Sequence, residues 1–176
     1  MYYLNQKVKD KLTSLSRILV TGGAGFIGSS LISRLLNDTT AEIYNLDKLG
    51  YASDLSLINN SLIDLKTSDL MRYQLLNYDL TDLDQTKRAI EISKPDLIFH
   101  LAAESHVDRS IDEPVHFINN NIIGTFNLLQ ASKLYFDDLN IEKKQSFRFH
   151  HISTDEVFGS LGENGKFRES TPYDPR

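Results

Sequence analysis

From Arg17 onward the chain alternates short apolar runs with longer stretches whose apolar residues recur at helical spacing. Ile18-Leu19-Val20 is the first run, and it stops at a glycine cluster. Phe26, Ile27, Leu31 and Leu35 then mark one face of a helix running from Phe26 to Leu36. Ile43 to Leu46 is a second apolar run, closed by Asp47, and Asp54 to Asn60 reads as a short helix. Tyr73 to Tyr78 is a third strand candidate. Thr81-Asp82-Leu83-Asp84 supplies capping residues for a helix that reaches about Ser93, before Pro95. Leu97-Ile98-Phe99 is a fourth strand, Pro114 to Phe136 a long helical pattern, and Phe147 to Ile152 a fifth strand.

Strands separated by helices of this length imply βαβ units and a parallel sheet covered on both faces. Right-handed crossovers make it doubly wound. The expected fold is α/β, a mostly parallel Rossmann sheet with its first and fourth strands adjacent, incomplete at its C-terminal end. Residues 17–176 form the one domain. Residues 1–16 form an extension, helical or disordered, without the apolar core of a secretory signal.

Composition narrows the function classes. The 176 residues carry a net charge of -5, which gives no basic face for nucleic acid. The absence of cysteine excludes disulfides, thiolate zinc sites and cysteine nucleophiles. No apolar run approaches membrane-spanning length, so a cytoplasmic protein is expected. His100, His106, His116, His150 and His151 make no H-x-x-x-H pair, so no metal site is expected and hydrogen-bonded crevice histidines are.

The glycine cluster carries the first chemistry. Thr21 to Gly28 satisfies G-x-G-x-x-G through Gly23, Gly25 and Gly28, and G-x-x-G-x-x-G through Gly22, Gly25 and Gly28. A tight strand-to-helix turn needs glycine, and a pyrophosphate must reach backbone amides at the helix N-terminus. Asp47 lies 19 residues after Gly28, where a carboxylate can accept from ribose hydroxyls and repel a 2′-phosphate. NAD is therefore expected over NADP, although Lys48 could offset part of that repulsion. The plainer alternative is a glycine turn with Asp47 capping the next segment.

Ligands of doubly wound sheets sit beyond the carboxyl ends of the strands. The fourth strand ends in small Ala102 and Ala103, which let a cofactor lie against backbone, and Ser105 offers a hydroxyl. Glu104 with Asp108-Arg109 suggests an ion pair anchoring this loop. The fifth strand ends in Ser153-Thr154-Asp155-Glu156. The S-x-x-E spacing is a capping box, yet the position places Thr154, Asp155 and Glu156 at the mouth of the same crevice.

TGGAGFIGS, LDKL from Leu46 to Leu49, LAAESHVDRSI and HHISTDEVFG, in this order, closely resemble the nucleotide-sugar 4,6-dehydratases, nearest to the branch acting on dTDP-glucose, in the extended short-chain dehydrogenase/reductase superfamily. The glycine motif is shared by much of that superfamily, and the last two stretches are more specific. The resemblance implies a tightly held NAD that is regenerated in each turnover. The sugar C4 hydroxyl is oxidised, water is eliminated across C5 and C6, the hydride returns to C6, and the product is a 4-keto-6-deoxy sugar nucleotide.

On this resemblance Thr154 hydrogen-bonds the C4 oxygen, Asp155 protonates the departing C6 hydroxyl and Glu156 removes the C5 proton. Burial and mutual repulsion of the two carboxyls would keep one protonated. Cofactor contacts fall on Phe26, Ile27, Asp47, Lys48, Leu49, Gly50, Asp79, Leu80, Leu101, Ala102, Ala103 and Ser105. Ser105 also touches substrate, and Asn120 stands where a cofactor-contacting threonine is common. The family's Tyr-x-x-x-Lys pair, which oxidises C4, has no counterpart here, since Tyr173 is followed by only three residues. The expectation is an N-terminal, NAD-binding portion that is inactive alone, from a protein that acts as a homodimer. A related epimerase, decarboxylase or UDP-sugar dehydratase, or a non-catalytic NAD-binding module, are the alternatives.

Overall fold

A computed structural model describes residues 15–63, 70–163 and 165–175. Five parallel strands lie in the order β3-β2-β1-β4-β5. They are β1 (Arg17–Thr21), β2 (Glu42–Leu46), β3 (Tyr73–Leu76), β4 (Leu97–His100) and β5 (Arg148–His151). The order reverses between β1 and β4, which makes the gap beyond their carboxyl ends the switch point.

The central strands read as unbroken apolar runs because both sheet faces are covered. Leu19 and Ile98 point to one layer with Leu46, Leu76, Ile90 and Leu128. Ile18, Val20 and Ile43 point to the other with Ile32, Leu35, Leu36 and Ile58. The first layer packs on α3 (Leu83–Ser93) and α6 (Gly124–Asp138), and the second on α1 (Phe26–Asp38) and α2 (Ser56–Ile63). Asp82 starts α3 as expected, accepting the amide hydrogens of Asp84 at 2.9 Å and Gln85 at 3.1 Å. At the far end of α1 the Arg72 guanidinium takes up the carbonyls of Leu36, Thr39 and Ala41. Of the expected N-terminal extension, residues 1–14 lie outside the described residues. Ser16 already joins the start of the central strand, where its amide donates to Asp96 Oδ2 at 2.9 Å and its carbonyl accepts from the Glu42 amide at 2.8 Å.

The long helix expected from Pro114 to Phe136 is not uniform. It comprises α5 (Pro114–Phe117), a π-helical stretch (Ile118–Ile123) and α6, and α4 (Val107–Asp112) precedes it. The Gly124 amide bonds to the Asn119 carbonyl, five residues back. Asn121 explains why the coil widens there. Its side-chain amide exchanges two hydrogen bonds with the Glu104 backbone, at 2.8 and 2.9 Å, which holds this turn against the loop after β4. A short helix α7 (Ile141–Ser146), capped by Asn140, precedes β5. Among the described residues no helix is long and apolar enough to cross a membrane.

Candidate functional site

The loop after β1 is shaped by close approaches. Gly22 has φ +69°, and a Cβ there would stand 2.7 Å from the Ala102 backbone. A Cβ on Gly28 would stand 2.2 Å from the Gly22 carbonyl oxygen. Gly28 therefore lets the first turn of α1 lie close against the glycine loop. The α1 N-terminus behind Gly25 carries no side-chain cap, and its first residues line the space in front of the loop.

That space is a cavity of about 400 Å³ at the switch point. Gly22, Gly25, Phe26, Ile27 and Gly28 line one side, and Asp47, Lys48 and Gly50 line the end beyond β2. Asp79, Leu80 and Asn120 form a third wall, facing Leu101, Ala102, Ala103 and Ser105. Of the cofactor contacts expected from the sequence, Leu49 alone is not in this lining. Its backbone takes a positive φ of 57° and its amide donates to Asp47 Oδ1 at 2.8 Å.

Asp47 fills the capping role, the plainer of its two readings. Oδ1 caps its own loop through Leu49 and Ser53, and Oδ2 accepts the Ala24 amide hydrogen at 2.9 Å. A carboxylate offers about four acceptor positions, so one remains for a ligand. Lys48 turns away from Asp47. Its ammonium donates to Asn120 Oδ1 at 2.6 Å and lies 3.8 Å from Asp79.

Glu104 and Arg109 do not pair. Arg109 meets Glu113 one helical turn on, at 3.2 Å, and lies over the Tyr51 ring at 3.9 Å. Glu104 instead accepts from the Tyr51 hydroxyl at 3.3 Å and the Asn120 amide at 3.4 Å. Tyr51, Glu104 and His106 all line the cavity, although sequence reasoning gave them no contact role. Their signal was available, since they sit within the motifs that place Gly50 and Ser105.

The expectation for the histidines holds for His100, a hydrogen-bonded interior residue, whereas His106, His116, His150 and His151 are exposed. His100 is 1% exposed, with Nδ1 2.6 Å from Thr21 Oγ1 and Nε2 2.9 Å from Thr125 Oγ1. Burial first, and the neighbouring His151 second, push its pKa down to about 4.

Ile152, just past β5, reaches the cavity lining, and Thr154, Asp155 and Glu156 follow it outside the lining. Thr154, not Ser153, caps the single 3-10 turn Asp155–Phe158, accepting the Glu156 amide hydrogen at 3.3 Å. The box with Ser153 would need a full helical turn to bring its partners together. Asp155 and Glu156 are exposed, so the burial expected to hold a proton on one of them is not supplied by the described residues.

A family model described as GDP-mannose 4,6 dehydratase matches residues 19–176. The dTDP-glucose 4,6-dehydratase of Neisseria gonorrhoeae is 48% identical over 159 residues, 90% of this chain and 44% of that protein. A Streptomyces venezuelae dTDP-glucose 4,6-dehydratase solved with NAD superposes with a TM-score of 0.72 at 37% identity, over 90% of this chain and 45% of that one. A Thermus thermophilus UDP-glucose 4-epimerase in complex with NAD gives 0.69 at 28% identity, over 90% of this chain and 44% of that one. The chain thus spans less than half the length of the relatives it matches.

Proposed function

The chain belongs to the GDP-mannose 4,6 dehydratase family, and from that premise we propose that it is the NAD-binding part of a dTDP-glucose 4,6-dehydratase. The observation that carries this reading is the switch-point cavity. Its glycine loop leaves no room for a Cβ at Gly22 or Gly28, and its far end holds a carboxylate with an acceptor position to spare. Those features suit a dinucleotide. Amides at the α1 N-terminus would hold the pyrophosphate. Asp47 would take a ribose hydroxyl, while Ala102 and Ala103 would let the cofactor lie on backbone. NAD, when bound, supplies a reversible two-electron oxidation at the sugar C4.

The elimination falls to this chain's own side chains. Thr154 holds the C4 oxygen. Once C4 is a ketone the C5 proton is acidic enough for a carboxylate, and Glu156 removes it. Asp155 delivers a proton to the C6 hydroxyl, which departs as water. Ser105 touches the substrate from the opposite wall. The placement of Ile152 in the cavity lining supports these roles, because Thr154 follows two residues later. The related NAD-bound epimerase shares the fold, and the adjacent Asp155-Glu156 pair favours dehydration over epimerisation.

The complete reaction is proposed for a protein of the relatives' length that carries this chain. A homodimer of that protein is supported by Ile118, Ile122 and Phe126, each at least half exposed along one helix. The test is conversion of dTDP-glucose to the 4-keto product by that protein and its Asp155→Asn and Glu156→Gln variants. Each variant should lose about 100-fold or more in turnover while holding NAD as before. Wild-type-like turnover in both would overturn the assignment.

A further inference from the structure

Thr21 and His100 are register partners at the carboxyl ends of β1 and β4, the strands that flank the switch point. The hydroxyl that meets His100 Nδ1 at 2.6 Å also accepts the Ala102 amide hydrogen, at 3.2 Å. Ala102 lines the cavity, and its backbone is what a Cβ on Gly22 would strike. On its other side the imidazole reaches Thr125 of α6 at 2.9 Å. One buried ring thus ties the helix behind the sheet, through one hydroxyl, to the point where the glycine loop meets the opposite wall.

The hydrogens have one placement that satisfies every buried group. Thr21 is fully buried, and its oxygen already accepts from Ala102, so its proton must point to an acceptor. His100 Nδ1 is the acceptor in reach. Nδ1 is then the bare nitrogen, and Nε2–H donates to the hydroxyl of Thr125, a residue that is only half-buried. A protonated ring would present a second donor to Thr21 and strand the Thr21 proton.

We propose that His100 is a positioning residue of the cavity wall: as the neutral Nε2–H tautomer it orients the Thr21 hydroxyl, which holds the Ala102 backbone against Gly22. The expected effect on NAD rests on the dinucleotide reading of the cavity. Around the ring stand Thr21 on β1, Thr125 on α6, the Phe149 ring and His151 on β5, with His151 the one titratable neighbour shown to act on it. Burial and His151 keep the ring neutral at neutral pH, as the placement requires.

Long-range proton–nitrogen correlation on nitrogen-15-labelled protein at neutral pH reads the tautomer, with His100 protonated at Nε2 alone. The Nδ1–H form would overturn the proposal. The effect on the wall is read from the Ala102 amide resonance and from calorimetric titration with NAD, in wild type and three variants. His100→Asn can offer an oxygen near the Nδ1 position. His100→Phe keeps the ring volume without the acceptor, and Thr21→Val removes the hydroxyl. The Ala102 amide should shift in His100→Phe and Thr21→Val and stay close to wild type in His100→Asn. NAD should bind about tenfold more weakly in the first two and within about threefold of wild type in the third. If His100→Phe does not fold, Thr21→Val and His100→Asn still separate the outcomes. An Ala102 amide unmoved in Thr21→Val, or equal NAD affinity in all variants, contradicts the positioning role. A wild-type chain with the expected tautomer and Ala102 response but no NAD binding would leave the role standing and overturn the dinucleotide reading.

Discussion

The Asp47 carboxylate accepts the Ala24 amide hydrogen at 2.9 Å, so the acid that ends β2 is fastened to the glycine loop that follows β1. Its negative charge thereby sits at a fixed place in the cavity lining. Asp47→Asn keeps an oxygen acceptor and removes the charge. The ratio of NADP to NAD affinity should rise about tenfold, because the repulsion of a 2′-phosphate is gone. Fluorescence titration with both nucleotides measures it, and an unchanged ratio would contradict a ribose-side place for Asp47.

Gly22 should not tolerate a side chain. Gly22→Ala combines a left-handed backbone with a Cβ 2.7 Å from the Ala102 backbone. The expected loss is about 2 kcal/mol or more in urea unfolding, with weakened NAD binding. Gly162→Ala is the control, since nothing lies within 4 Å of its Cβ, and it should change stability by less than about 0.5 kcal/mol.

Acid should weaken the fold through His100. Its ordinary value is 6.5 and the folded value is about 4, so between these the unfolded chain binds a proton that the folded chain refuses. Stability then rises with pH across this window and is flat in this group above it. The contribution lost on acidification is on the order of 3 kcal/mol. Urea midpoints measured across the window, in wild type and His100→Asn, check it. The wild type should show the steeper dependence.

The core layers make a plainer demand. Ile98 is 0% exposed at the centre of β4, and Ile98→Ala should cost about 2–5 kcal/mol by thermal or urea unfolding.

The sheet was legible in the sequence because a parallel sheet buried on both faces writes its strands as apolar runs, as Ile18-Leu19-Val20 does. The crevice was legible because steric need fixes the glycine spacing. Tertiary contacts were not legible. Periodicity sees Pro114 to Phe136 as one helix, and only the clasp between Asn121 and the Glu104 backbone reveals the π-helical stretch. Glu104 looked like the partner of Arg109 by proximity, but α4 brings Glu113 one helical turn from Arg109. The Ser153–Glu156 box presupposed an α-helix, and a 3-10 turn moves the cap to Thr154. His100 gave no sign in sequence that both its nitrogens meet hydroxyls from elements far along the chain.

The most direct measurement is titration of this chain with NAD, followed by its backbone amide resonances. Saturable binding is predicted, with the largest shifts at Gly22, Gly25, Asp47 and Ala102 around the switch point. No saturable binding, or shifts confined to residues away from that cavity, would contradict the account.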